Sequence, residues 1–130
     1  MNYEMQSIKQ KPTLFVIDDT PDNLALISEL LKNIYHVKVA TSGEKALDYF
    51  EKQELPDLIL LDIMMPGLSG YDVLKHLKSK PKTRDIPVIF LTAMSTVEDE
   101  KKGLEMGAVD YITRHLAKLM CIPQQNHGQS

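Results

Sequence analysis

The sequence predicts an α/β domain organised around a doubly wound, five-stranded parallel sheet. Three observations lead there: short apolar runs rich in β-branched residues, amphipathic segments of helical period between them, and regular alternation of the two without internal repeats or low-complexity linkers. Three of the runs are nearly continuous in hydrophobicity, the mark of strands covered on both faces.

The first strand is expected over Leu14 to Ile17 and is followed by a helix from Pro21 to Asn33, whose apolar positions are Leu24, Ile27, Leu30, Leu31 and Ile34. A second strand, Val37 to Ala40, leads to a helix from Gly43 to Gln53 with Ala46, Leu47 and Phe50 on one side. The third strand is Leu58 to Leu61, and the helix after it, Ser69 to Ser79, carries Val73, Leu74 and Leu77. A fourth strand, Val88 to Leu91, precedes a weaker helix from Thr96 to Met106, in which Val97, Leu104 and Met106 stand among charged residues. The last strand is the weak run Val109 to Ile112. Thr20, Ser42 and Ser69 are N-cap candidates, and Pro21 suits the first helical position. Five alternations with right-handed crossovers leave few topologies, of which the flavodoxin-like strand order 2-1-3-4-5 is the natural one.

A chain of 130 residues holds one ordinary domain. Its expected boundaries are an N-terminal extension over 1–12, the domain proper over 13–122, and a polar tail over 123–130. The formal net charge of -3 gives no electrostatic footprint for nucleic acid. No apolar run approaches the length of a membrane span, residues 1–11 lack the apolar core of a signal peptide, and the single cysteine, Cys121, has no internal partner; a cytoplasmic protein is expected. His115 and His127 lack metal-ligand spacing, and His36 and His76 read as strand-entry and helix-surface residues.

The chemistry collects where an open α/β sheet places its ligand site, at the carboxyl ends of the strands. Asp18 and Asp19 follow the first strand, Asp62 the third, Thr92 the fourth and Arg114 the fifth. Taken singly, each acid reads as a helix cap or a solvated loop residue, and Thr92 as a capping hydroxyl. Together they deliver three carboxylates, a hydroxyl and a guanidinium to one rim. Crowded carboxylates repel unless a cation compensates them, and Mg²⁺ suits hard oxygen ligands while keeping waters for a phosphate. The combination points to phosphoryl chemistry with a carboxylate nucleophile.

These residues resemble the receiver domains of two-component response regulators, the CheY-like family. The resemblance rests on Asp18-Asp19, the run Leu60-Leu61-Asp62-Ile63-Met64-Met65-Pro66-Gly67, Leu91-Thr92-Ala93 and Gly107-Ala108-Val109-Asp110-Tyr111, and it covers Thr13 to about Thr113. It implies that Asp62 accepts phosphate from a phosphohistidine on a sensor histidine kinase or phosphotransfer protein. It implies Mg²⁺ held by Asp19, Asp62 and the backbone carbonyl of Met64, with Asp18 acting through a metal-bound water. Thr92 would move toward the phosphoryl group and Tyr111 would turn inward behind it, with the Ala93 backbone N–H close to the phosphate. The surface of the fourth helix and fifth strand would then change for an effector domain or protein. Such a domain catalyses only its own phosphorylation and dephosphorylation. Met64 and Met94, where related receivers place polar side chains that guide water, predict slow dephosphorylation.

The chain departs from the family after Tyr111, where Arg114-His115 replaces the usual lysine-proline pair. Arg keeps the charge on a planar fork and a different stem. The segment Leu116 to Ile122 offers only a short fifth helix, so an exposed sheet face and a homodimer or swapped dimer are expected. A receiver-like interaction module impaired in phosphorylation-driven switching is therefore the competing expectation. A haloacid-dehalogenase-type phosphatase would need Asp-x-Asp at the first strand, and a flavodoxin-like carrier would need a Ser/Thr/Gly phosphate loop there. Asp18-Asp19-Thr20 supplies neither.

Overall fold

The computed structural model describes residues 11–92, 101–102, 104–108 and 110–113. Five strands, β1 (Thr13–Ile17), β2 (His36–Ala40), β3 (Leu58–Asp62), β4 (Val88–Thr92) and β5 (Asp110–Thr113), form one sheet in the order β2-β1-β3-β4-β5. Every neighbouring pair is parallel. The described helices between them are α1 (Pro21–Leu31), α2 (Gly43–Lys52) and α3 (Gly70–Lys78). In the region expected to form a fourth helix, Lys101, Lys102, Leu104 and Glu105 are helical, and residues 93–100 lie outside the described residues. The expected short fifth helix, Cys121, His115, His127 and the polar tail lie outside them too.

Alternation along the strands separates two cores. Phe15 and Ile17 of β1, Ile59 and Leu61 of β3, and Val88 and Phe90 of β4 face α2 and α3, where they meet Ala46, Phe50, Val73, Leu74 and Leu77. Leu14, Val16, Leu60 and Leu91 face the other way and pack with Leu24 and Ile27 of α1. Strands with both faces buried explain the continuous apolar runs of the sequence. The face expected to stand open is buried at Leu14, Val16, Leu60 and Leu91, with Leu58 and Ile89 partly buried.

Helix ends follow local chemistry in two cases out of three. Ser42 accepts a hydrogen bond from Lys45 N at 3.1 Å, and Ser69 forms a reciprocal capping box with Asp72. Thr20 corrects the expectation: it is the N-cap residue of α1 but makes no side-chain cap bond. Ile34, expected on the apolar face of the first helix, is 58% exposed. The helix stops at Leu31, whose carbonyl accepts from both Ile34 N and Tyr35 N, so the helical period no longer applies and Tyr35 packs inward instead.

Candidate functional site

The register of β1 and β3 builds the site. Ile17 lies beside Leu61, so the residues that follow, Asp18 and Asp62, leave the sheet side by side although 44 positions separate them in sequence. Asp18 and Asp62 are fully buried and Asp19 is half-buried. One carboxylate oxygen from each of the three lies within 4.8 Å of the others. At such separations each ionised pair costs on the order of 3 kcal/mol at an effective dielectric of ~20. N–H donors offset part of this. Thr20 N donates to Asp18 Oδ1 at 2.9 Å, Asn23 Nδ2 donates to Asp18 Oδ2 at 3.2 Å, and Met64 N donates to Asp62 Oδ1 at 3.2 Å.

The donor set fits a hard divalent cation. Mg²⁺ binds through one or two carboxylates and keeps several waters, and a cluster of three carboxylate oxygens within 4.8 Å of one another leaves room for both direct and water-mediated contact. Among the described residues this is the one group of three acids, histidines or cysteines so disposed.

The loop after β3 is shaped by two glycines. Gly67 has φ of +75°, which permits the turn after Met65-Pro66. Gly70 begins α3 and donates its N–H to Ile63 O at 2.9 Å, and a Cβ there would stand 2.3 Å from the carbonyl oxygen of Asp62. The start of α3 is therefore seated directly on the backbone of Asp62 and Ile63. Met65 is buried beneath this loop, whereas Met64 projects with 73% of its surface exposed.

The remaining expected site residues are placed as follows. Thr92 ends β4, one position beyond Leu91, which is in register with Asp62. Tyr111 lies in β5 opposite Phe90, and Thr92 lies opposite Thr113. Ala93 and Arg114 lie outside the described residues. His36 begins β2 and His76 lies on α3, both exposed. Three contributors were not singled out from sequence: Asn23, Gly70 and Tyr71. Tyr71 meets Phe90 edge-on at 5.3 Å and carries the Lys102 ammonium 4.3 Å from its ring centre. A small residue directly after the Ser69 cap was the available signal for Gly70; the other two contacts leave none in the chain's local pattern.

Known proteins resemble this chain in sequence and in fold. Over 100 residues the chain is 49% identical to a protein of Vibrio cholerae serotype O1 named probable cyclic di-GMP phosphodiesterase, covering 77% of this chain and 22% of that protein. The chain thus spans less than a quarter of that relative's length. The crystal structure of the N-terminal domain of a response regulator receiver protein from Methanoculleus marisnigri JR1 superposes with a TM-score of 0.73 at 34% identity, covering 89% of this chain and 94% of that one. The Mn²⁺-bound form of the response regulator Rcp1 superposes with a TM-score of 0.74 at 25% identity, covering 83% of this chain and 88% of the other. Residues 14–120 match the response regulator receiver domain family, and the chain belongs to that family.

Proposed function

We propose that this receiver domain is a phosphorylation-operated switch in which Asp62 is the phosphoacceptor. The observation that carries the reading is the gathering of Asp18, Asp19 and Asp62 at the ends of two adjacent strands, with an oxygen of each within 4.8 Å of the others. A carboxylate oxygen of Asp62 attacks the phosphorus of a phosphohistidine on a sensor histidine kinase or phosphotransfer protein. The new P–O bond forms as the P–N bond breaks, and the electron pair returns to the imidazole nitrogen. Asp19, Asp62 and the Met64 carbonyl would hold Mg²⁺ directly and Asp18 through water. When bound, the ion neutralises charge between the attacking carboxylate and the incoming phosphoryl oxygens. The Mn²⁺-bound relative supports a divalent cation here.

The chain's own residues then read the new charge. Thr92, at the end of the strand beside Asp62, offers a hydroxyl to the phosphoryl group, with the Ala93 N–H and the Arg114 guanidinium as further partners. Tyr111, one strand further out, follows Thr92 and changes the surface near the fourth helix. The active state prevails when these contacts outweigh the resting preference. No other reaction is assigned to the domain, and the exposed thioether of Met64 beside Asp62 supplies no base for water, so the phosphoryl group is lost slowly. A longer protein carrying this domain would pass the signal to an effector, and the Vibrio relative makes cyclic di-GMP turnover a candidate output.

Intact mass measurement after incubation with Mg²⁺ and acetyl phosphate tests the proposal. The protein should gain one phosphoryl group and Asp62→Asn none. Absence of the gain in the parent, or an equal gain in the variant, would overturn the reading and favour an interaction module without phosphorylation.

A further inference from the structure

Asp18 is held from both sides by the start of α1. Its Oδ1 accepts from the backbone N–H of Thr20 at 2.9 Å, and its Oδ2 accepts from the Asn23 side-chain amide at 3.2 Å. The terminal torsion of a carboxylate is intrinsically broad, and one bond fixes one oxygen more firmly than the plane. A second donor on the other oxygen helps to set that plane.

Pro21 and Asp22 suit this helix start, but the two positions that could cap it do not. Thr20 leaves its N-cap position without a side-chain bond, and Asn23 occupies the third helical position, where a glutamate or glutamine would complete a capping box. Asn is a weak helix former because its amide competes for nearby polar groups. Here it reaches out of the helix to a fully buried acid. A neutral amide is also the donor that leaves the charge of the acidic cluster unchanged; a lysine or arginine would compete with a cation and an aspartate would add repulsion.

We propose that Asn23 is a positioning residue of the cation site, orienting Asp18 before the cation arrives and so setting the affinity for Mg²⁺. This inference rests on the reading of Asp18, Asp19 and Asp62 as that site. Groups that orient a metal site from outside its direct ligands, as Asp18 does through water with Asn23 behind it, typically contribute about tenfold or more in affinity.

The test is calorimetric titration of Mg²⁺ into the full chain and into Asn23→Ala, Asp18→Asn and the double variant, with thermal melts in EDTA as the control for folding. Ala is well tolerated in a first helical turn, and Asn23 is only half-buried, so the melts should agree closely. Asn23→Ala should weaken Mg²⁺ binding about tenfold. In the Asp18→Asn background the same change should have less than about a twofold effect, because the carboxylate on which Asn23 acts is gone. Unchanged affinity in Asn23→Ala, or an equal loss in both backgrounds, overturns the proposal while leaving the cation site standing. A parent protein that takes up no Mg²⁺ overturns the cation site itself and this inference with it.

Discussion

Gly70 and Asp62 are in contact through backbone alone: the position a Gly70 side chain would fill lies 2.3 Å from the Asp62 carbonyl oxygen and 2.7 Å from the Cα of Ile63. The start of α3 can sit on the end of β3 only because this residue has no Cβ. Gly70→Ala would have to push helix and strand end apart, and both obstacles are main chain that cannot rotate away. The expected loss is about 1 to 3 kcal/mol, reduced by less than about 1 kcal/mol through the better helix propensity of Ala. Urea denaturation measures it, and an unchanged midpoint would count against the close seating.

Magnesium should stabilise the folded protein by mass action. At a concentration a hundred times the dissociation constant the gain is about 2.7 kcal/mol for one site. Thermal melts with Mg²⁺ and with EDTA should therefore separate for the parent and coincide for a variant carrying both Asp19→Ala and Asp62→Asn. Equal metal-dependent shifts in the two proteins would place the ion elsewhere.

Lys102 and Tyr71 join the fourth helical region to α3, and Tyr71 in turn rests edge-on against Phe90 of β4. A cation over an aromatic face at an exposed site contributes about 0.5 to 1 kcal/mol. Lys102→Met should cost that amount in the parent and nearly nothing in a Tyr71→Leu background, whereas Tyr71→Phe keeps the ring and should retain the coupling. A double-mutant cycle on denaturation midpoints reads the difference.

On the far side of α3, the Lys80 ammonium bonded to Glu51 lowers the Glu51 carboxyl from its ordinary value of 4.5, with Lys82 and His76 adding to the effect. A depressed folded-state pKa contributes stability that is present above the unfolded value and is lost as pH falls through the folded one. The stability difference between the parent and Glu51→Gln should accordingly shrink as the solution is acidified below about 4.5. Both partners are substantially exposed, so the effect is small and weakens with salt. Parallel pH profiles for the two proteins would contradict this assignment.

The sequence by itself determined the strands, most of the helices and the identity of the acids at the strand ends, because apolar continuity and helical period are local properties written within a dozen residues. It placed Asp18, Asp19 and Asp62 on one rim through the rule that an open α/β sheet gathers its site at the strands' carboxyl ends. It failed at Ile34, where a period was carried past a helix that ends at Leu31. Tertiary structure alone decided the rest. The pairing of Ile17 with Leu61 brings two acids 44 positions apart into one cluster, and the approach of Lys102 to Tyr71 depends on two segments meeting in space. Those contacts follow from register and packing between elements distant in the chain, and no local pattern encodes a distance across a sheet. The Asn23 contact to Asp18 and the seating of Gly70 on Asp62 span only five and eight positions, yet they too depend on the angle at which each helix leaves its strand, which residue types alone do not state.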